Sequence, residues 1–236
     1  MVPFLFTGQE LLLGASRALY WPAEQALLIA DLHLEKASFF ARHGQMLPPY
    51  DSRETLERVA QLIRETGARR VFCLGDNFHD DAGVERLEPH AAGMLDALTR
   101  ATDWVWITGN HDANLSGVCG GTPVEELAVS GLILRHRAIP GESGAEVSGH
   151  FHPRLRLTVK GRSIVRPCAV LASPAPGAAQ STEKLVLPAF GALTGGMDAA
   201  DPAIRDAMQP AENIDALVAA RGRIARFPLW RAATHG

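Results

Sequence analysis

One short apolar segment most constrains what this chain can fold into. It stops at a glycine, and polar residues follow directly. Val71 to Leu74 is typical of a buried β-strand, and Gly75 ends it at once. Asp76 therefore follows the carboxyl end of a strand, which is the edge where open α/β sheets bind ligands. A simple Asx turn would explain one such ending. The same ending recurs along the chain, and surface turns alone do not predict that recurrence.

Further strand-like segments also end in Asp, Asn or His. Their endings are Asp31-Leu32-His33, Gly109-Asn110-His111-Asp112, the lone His136, and Gly149-His150-Phe151-His152. In the DxH and HxH endings, strand alternation places both side chains on the same side. Two ligands of one metal ion require such an arrangement. A lone DxH is more often structural, but neither chance nor packing explains the joint pattern.

The segments between these endings predict helices packed on a sheet. Asp51 is placed to cap a helix that Gly67 stops, and a second amphipathic helix is predicted from Arg86 to about Thr99. Alternating strands and helices imply right-handed crossovers and a largely parallel core. Beyond Thr122 the pattern changes to strands without long helices. The predicted fold class is therefore α/β with α+β character.

The remaining segments predict smaller elements. These are a hairpin at Gln9 to Trp21, a hairpin of Arg154 to Lys160 with Ser163 to Leu171, a mobile connection at Ala172 to Thr182, a strand at Lys184 to Phe190, and a short helix after Asp201. The segment Glu35 to His43 fits a loop or short helix over the site, although a partly exposed helix with a packed aromatic face is favoured.

Length and composition fit one globular domain over residues 1–236, since 47% of the residues are apolar. The net charge of −3 means that any nucleic-acid contact would use a local patch. Three scattered cysteines form no CxxC pair, which fits a reducing compartment. No apolar run approaches membrane-spanning length, so a soluble cytoplasmic protein is expected.

The polar endings together favour a pair of divalent metal ions. Two dications about 4 Å apart repel strongly unless anionic charge lies between them. Asp76 is the natural bridging carboxylate. Neutral imidazoles and the Asn110 oxygen would complete both sets of ligands without making the site so negative that it repels a phosphate.

These endings resemble the signature of the calcineurin-like metallophosphoesterases, which reads DxH, GDxx(D/H), GNH(D/E), a later His, and GHxH. All five blocks occur in order between Asp31 and His152. The resemblance implies a two-sheet α-β-β-α sandwich with the site at the strand ends. It implies one metal held by Asp31, His33, Asp76 and His152, and a second held by Asp76, Asn110, His136 and His150.

The same resemblance implies catalytic roles. His111 would contact the phosphate and protonate the leaving oxygen, with Asp112 orienting it. Asn110, His111 and His79 would share the charge that builds on phosphorus while a metal-bridging hydroxide attacks in line. The family fills the position of His79 with Asp or His, and His there points to phosphodiesters.

A narrower resemblance, to the bacterial ligase-associated DNA damage response endonucleases, covers most of the chain. It is carried by IADLHLEKASFFARHGQMLPPYDSRETL, FCLGDNFHD, ITGNHD, SGHFHPR and LPAFGALTGGMD. It implies a manganese-dependent DNA endonuclease acting in repair, on single-stranded DNA, beside a helicase, an exonuclease and a ligase. Iron, zinc, magnesium or cobalt could replace manganese, and a homodimer is compatible with the sequence.

Other functions remain open at this stage. One is a phosphoesterase for nucleotides or cyclic nucleotides, and another is a metal-bound scaffold without catalysis, which should show a broken ligand block. A basic run follows the HxH and could track a phosphate backbone or simply be solvated. Its members are Arg154, Arg156, Lys160, Arg162 and Arg166.

Overall fold

Two seven-stranded sheets face each other across the largest apolar core. The computed structural model describes residues 1–113, 115, 119–142, 144–174 and 183–232. The first sheet runs in spatial order from edge to edge through β1 (Val2–Phe6), β2 (Gln9–Leu13), β3 (Leu19–Trp21), β4 (Ala26–Ile29), β5 (Arg70–Leu74), β6 (Asp103–Ile107) and β7 (Thr122–Val124). Its members β4 to β7 are parallel, and β1 to β4 are antiparallel.

The second sheet carries the later strands, with parallel pairing only around its middle. In chain order its strands are β8 (Glu126–Val129), β9 (Leu132–Arg135), β10 (Ala145–Ser148), β13 (Ala169–Ser173), β14 (Lys184–Val186), β16 (Asn213–Ala220) and β17 (Arg223–Arg231). β10 is parallel to both β9 and β14. A separate three-stranded sheet holds β11 (Pro153–Val159), β12 (Arg162–Pro167) and β15 (Met197–Asp198).

Helices and one hairpin cover the outer faces of the two large sheets. The helices are α1 (Lys36–Arg42), α2 (Asp51–Thr66), α3 (Gly83–Arg86), α4 (Pro89–Ala101) and α5 (Pro202–Ala207). Leu56 and Val59 of α2 and Leu95 of α4 pack on the first sheet. Ile204 of α5 and Leu155 of β11 pack on the second sheet. The predicted α-β-β-α sandwich is confirmed, with a short helix and a hairpin as its second outer layer.

The predicted elements of the first half are present, with small differences. Asp51 is the first residue of α2 and follows the N-cap residue, Tyr50. Its carboxylate accepts the backbone N–H of Ala37 at 3.1 Å. Gly67 ends that helix with φ of 69°. The second predicted helix starts later, at Pro89, where the Glu88 carboxylate accepts two backbone N–H groups. No helix among the described residues is long and apolar enough to span a membrane.

The second half departs further from the prediction. The segment Ser163 to Leu171 divides between β12 and β13, which belong to different sheets. The strand predicted at Lys184 to Phe190 ends at Val186. Of the connection predicted at Ala172 to Thr182, residues 172 and 173 end β13, and residues 175–182 lie outside the described residues. The long terminal hairpin of β16 and β17 was not predicted.

A buried group of charges lies in the second sheet. Glu146 is 1% exposed and lies 3.4 Å from both Lys184 Nζ and Arg135 Nη1. Lys184 is fully buried and also donates to the carbonyl oxygens of Ile139 and Ala207. Burial raises the pKa of Glu146, while the charges of Lys184 and Arg135 oppose that rise. The carboxylate therefore compensates two buried cations.

We expect Glu146→Gln to lower the free energy of unfolding by about 3 kcal/mol, because the amide removes the buried carboxylate that pairs with Lys184 and leaves Arg135 only its more exposed partners. Glu126→Gln is the matched control, since Glu126 also pairs with Arg135 at 3.1 Å but is largely exposed. That control should cost under about 1 kcal/mol. Urea unfolding in EDTA measures both values, and equal losses would contradict the expectation.

Candidate metal centre

The loops after β4, β5, β6, β9 and β10 meet at one edge of the sandwich. The backbone after β4 runs along the backbone after β5. Asp31 N donates to Gly75 O at 3.2 Å, and His33 N donates to Asp76 O at 2.9 Å. The polar strand endings predicted from the sequence therefore come together in space.

Five of the predicted ligands have left-handed backbone conformations. Their φ angles are 53° for Asp31, 44° for His33, 47° for Asp76, 73° for His150 and 48° for His152. Such a conformation costs about 1–2 kcal/mol for a residue with a Cβ atom. Strain of this kind persists where the surrounding structure imposes it, and it concentrates at functional sites.

The first ligand set is brought together by side chains from three loops. His33 Nε2 lies 3.7 Å from Asp76 Oδ2 and 3.3 Å from His152 Nε2. His152 Nε2 lies 3.5 Å from Asp31 Oδ1. One ligand atom from each of these four residues falls within 4.8 Å of the others.

The second set converges on His136. Its Nδ1 lies 3.1 Å from the carbonyl oxygen of Leu74, so this nitrogen carries the proton and Nε2 presents a lone pair. That lone pair faces Asn110 Oδ1 at 3.0 Å, Asp76 Oδ1 at 3.4 Å and His150 Nδ1 at 3.0 Å. The two oxygens are acceptors, so at these distances they and the lone pair repel one another unless a cation lies among them. The donor set therefore fits a metal ion.

Glycines allow this close approach. A Cβ atom on Gly75, whose φ is 80°, would lie 2.2 Å from His136 Nδ1. A Cβ atom on Gly149 would lie 2.6 Å from Asp31 Oδ2. A larger residue at either position would separate the loops of one sheet from the ligands of the other.

Burial favours the neutral form of three imidazoles of the site. Burial, with the neighbouring His152 and Lys36, lowers the pKa of His33 to about 2. Burial and Lys36 lower the pKa of His79 to about 4, and burial and His136 lower that of His150. Neutral imidazole, carboxylate and amide groups are suitable ligands for divalent ions. No cysteine is in these clusters among the described residues, where Cys73, Cys119 and Cys168 are buried.

His111 and His79 lie beside the two sets. His111 donates from Nδ1 to the carbonyl oxygen of His79 at 2.9 Å, and its Nε2 lies 4.0 Å from Asp76 Oδ2. The ring of His79 lies between those of Phe40 and His111, at 5.6 and 5.1 Å. Nitrogens of His33, His79 and His111 also lie within 4.8 Å of one another, so these three could form a further metal-binding group.

Asp112 has a different place from the one predicted. It was expected to orient His111, but the carbonyl oxygen of His79 accepts the ring N–H instead. The carboxylate of Asp112 is fully buried and accepts backbone N–H groups from Gly109 and Asn77 at 2.8 Å and from Phe78 at 3.3 Å. It therefore holds the loops after β5 and β6 together.

The predicted cover over the site is α1. Its Phe39 ring lies 4.8 Å from that of His79. A neighbour that the sequence did not indicate is Arg17, which donates to the carbonyl oxygens of Ala189 and Gly191 beside the Asp31 loop. The hairpin predicted at Gln9 to Trp21 did not indicate that Arg17 would lie beside the site.

The chain is similar to known proteins in both sequence and structure. A family model described as calcineurin-like phosphoesterase matches residues 25–219. No curated protein matches the chain. The nuclease MPE from Pseudomonas putida is 28% identical, with a TM-score of 0.67, covering 95% of this chain and 98% of that one.

Two other solved structures are less similar. The phosphoesterase Yfce from E. coli is 15% identical with a TM-score of 0.42, covering 86% of this chain and 98% of that one. A protein of unknown function from Aquifex aeolicus is 13% identical with a TM-score of 0.39, covering 54% of this chain and 78% of that one. Because the family model spans most of the chain and includes all five polar strand endings, this chain belongs to the calcineurin-like phosphoesterases.

Proposed function

We propose that this protein is a binuclear metal-dependent phosphodiesterase that cleaves single-stranded DNA in repair. The observation that carries the proposal is the position of Asp76, whose two carboxylate oxygens face different ligand sets. Oδ2 faces His33 of the first set, and Oδ1 faces His136 of the second. The similarity to a solved nuclease over nearly the whole chain supports nucleic acid as the substrate.

The residues of the first and second sets would hold two divalent ions, with manganese as the proposed metal. When bound, such ions lower the pKa of water and polarise a phosphate. Asp76 supplies the negative charge that two adjacent dications need. Asp31 adds a second buried carboxylate. The backbone N–H of His150 holds it in place by donating to both of its oxygens at 3.0 Å.

His111 is placed to handle the leaving-group proton. The carbonyl oxygen of His79 fixes one ring nitrogen, and the other is free to face a substrate because the side chain is 39% exposed. Because Nδ1 already carries a proton, a second proton at Nε2 makes the ring an imidazolium. That second proton would pass to the leaving oxygen and leave the ring neutral. His79 and Asn110 border the same space and would donate to the phosphate oxygens.

The proposed setting is a cytoplasmic repair pathway with a helicase, an exonuclease and a ligase. The ligand blocks are complete, which disfavours a scaffold without catalysis. A nucleotide or cyclic-nucleotide phosphoesterase is the competing enzyme. An assay on polynucleotide and mononucleotide substrates separates the two.

In that assay, we expect purified protein with manganese to nick circular single-stranded DNA and EDTA to stop the reaction. An internal cut converts the circle to a linear strand, which a gel resolves. A panel of nucleotides and cyclic nucleotides should react more slowly. Rapid hydrolysis of a mononucleotide without nicking would overturn the proposed substrate.

We expect Asp76→Ala to abolish hydrolysis of an aryl phosphodiester and to lower the metal content, because the remaining ligands cannot screen two adjacent dications. Asp80→Asn is the matched control, since Asp80 lies in the same loop but pairs with Arg86. Elemental analysis of dialysed protein gives the metal content. Two tightly held ions in an active Asp76→Ala variant would contradict the binuclear proposal.

We expect His111→Ala and His79→Ala each to keep most of the metal while the rate falls by roughly 10² or more, as for lost acid catalysis or oxyanion contacts. His90→Ala, at an exposed imidazole on α4, is the control. The rate on the aryl diester and the metal content are measured together. Metal loss would instead make these residues ligands with His33, and full activity would remove them from the site.

A further inference from the structure

A groove of about 740 Å³ is lined in part by Arg154, which follows the predicted ligand His152 closely in the sequence. It lies between the turn joining β2 to β3, the β11–β12 hairpin and the last two strands. A narrow cleft lined by Arg17, His152 and Arg154 lies between this groove and the first ligand set, and it is too small to hold a water molecule. The two arginines therefore stand between the groove and the ligand set, and a strand bound at the metal centre would reach the groove by passing over their side chains.

Two arginines line both the cleft and the groove. Arg17 donates to the carbonyl oxygens of Ala189 at 3.1 Å and Gly191 at 3.4 Å, and Arg154 donates to that of Thr194 at 2.7 Å. These bonds orient each guanidinium while leaving further N–H groups unused. The backbone of Arg17 is left-handed, with φ of 75°, so its placement is imposed by the fold.

Neither arginine has a carboxylate within 4 Å in the part of the chain that the structure describes, although Arg156 on the same hairpin pairs with Asp198 at 3.3 Å. Burial and the charge of Arg154 lower the pKa of Arg17. Burial and the charge of Arg17 in turn lower the pKa of Arg58 to about 10. The charge of Glu54 opposes both shifts, but it forms no ion pair with Arg17 among the described residues. Adjacent guanidinium groups without a paired carboxylate attract an anion, and their planar donors suit phosphate.

The rest of the groove is largely apolar. Its walls include Leu13, Val165, Leu217, Val218 and the half-buried Phe227. Apolar and aromatic walls beside a basic site suit a single strand, whose unpaired bases can stack on a ring while the backbone follows the charges. In a duplex the bases are paired inside and could not use these walls.

We propose that Arg17 and Arg154 bind a backbone phosphate next to the scissile one, and that the groove holds the adjoining nucleotides of a single strand. The inference rests on the proposed function, which makes that strand DNA. It selects Arg154 from the basic run of the sequence and adds Arg17, which lies far from that run.

Binding of a fluorescein-labelled oligodeoxythymidylate tests this inference in EDTA, where cleavage does not interfere. Fluorescence anisotropy over a series of salt concentrations gives Kd and its salt dependence. We expect Arg17→Gln and Arg154→Gln each to raise Kd about tenfold, as for loss of a charged hydrogen bond. Each should also flatten the logarithmic salt slope by about 0.7.

Two further variants separate charge from shape. Arg162→Gln removes one exposed charge from the tip of the same hairpin, outside the groove, and should leave Kd within about twofold of wild type. Arg17→Lys keeps the charge and should retain the salt slope. Equal losses in Arg162→Gln and Arg154→Gln, or an unchanged slope in Arg17→Gln and Arg154→Gln, would overturn the groove assignment.

Other ligands and a small substrate complete the test. Tighter binding of a duplex or of an RNA strand of matching length would contradict single-stranded DNA as the occupant.

Hydrolysis of an aryl diester with manganese reports on the proposed function separately. Wild-type protein inactive on that diester and on DNA would refute the function, while the binding data in EDTA would still decide the groove. In Arg17→Gln and Arg154→Gln, the loss on DNA should exceed the loss on the diester.

Discussion

Mutual repulsion among acceptor atoms is the constraint on which this structure depends. Oxygens and imidazole nitrogens from both sheets crowd around Asp76, where the unprotonated Nε2 of His136 lies 3.4 Å from Oδ1 and Nε2 of His33 lies 3.7 Å from Oδ2. Without a cation, the contact between the lone pair of His136 and the carboxylate opposes folding. The fold offsets this with backbone donors, since Asp76 Oδ1 accepts the N–H of His111 at 3.1 Å and Asp31 accepts that of His150. It also fixes the proton of His136 on the side away from the ligands.

The roles within the polar endings differ more than their sequence suggests. Asp112 and Asp76 are both buried aspartates close to strand ends. The carboxylate of Asp112 accepts backbone N–H groups from two loops, so its charge is used to position Asp76 and Asn110. Burial raises the pKa of Asp112, and these donors oppose the rise. The sequence predicted that Asp112 orients the catalytic His111. In the structure its carboxylate instead stabilises the backbone of two loops.

The sequence predicted the elements whose local pattern agrees with their environment. β4, β5 and α2 have clear apolar runs or helical periodicity, and the endings of the strands carry the proposed ligands. The terminal hairpin was missed because β16, Asn213–Ala220, is buried along most of its length and shows no alternation. Its alanines suit a helix as well as a strand. The segment Ser163 to Leu171 divides into β12 and β13 near Cys168, because its two halves join different sheets. Arg17 lies near the metal centre because its backbone is left-handed. The local sequence indicates neither the division nor the position of Arg17.

The two sheets contribute different parts of the site, so the site depends on their packing. Asp31 and Asp76 follow strands of the first sheet, while His136 and His150 follow strands of the second. The apolar layer between them, with Leu28, Phe72, Leu134 and Val147, sets their separation. An unfolded chain cannot bring these ligands together, so the free energy of metal binding adds to the free energy of folding. Bound cations would also turn the repulsion among the acceptors into attraction. The glycines that admit His136 and Asp31 are therefore as necessary as the ligands, because a Cβ atom at Gly75 or Gly149 would push the loops of the two sheets apart.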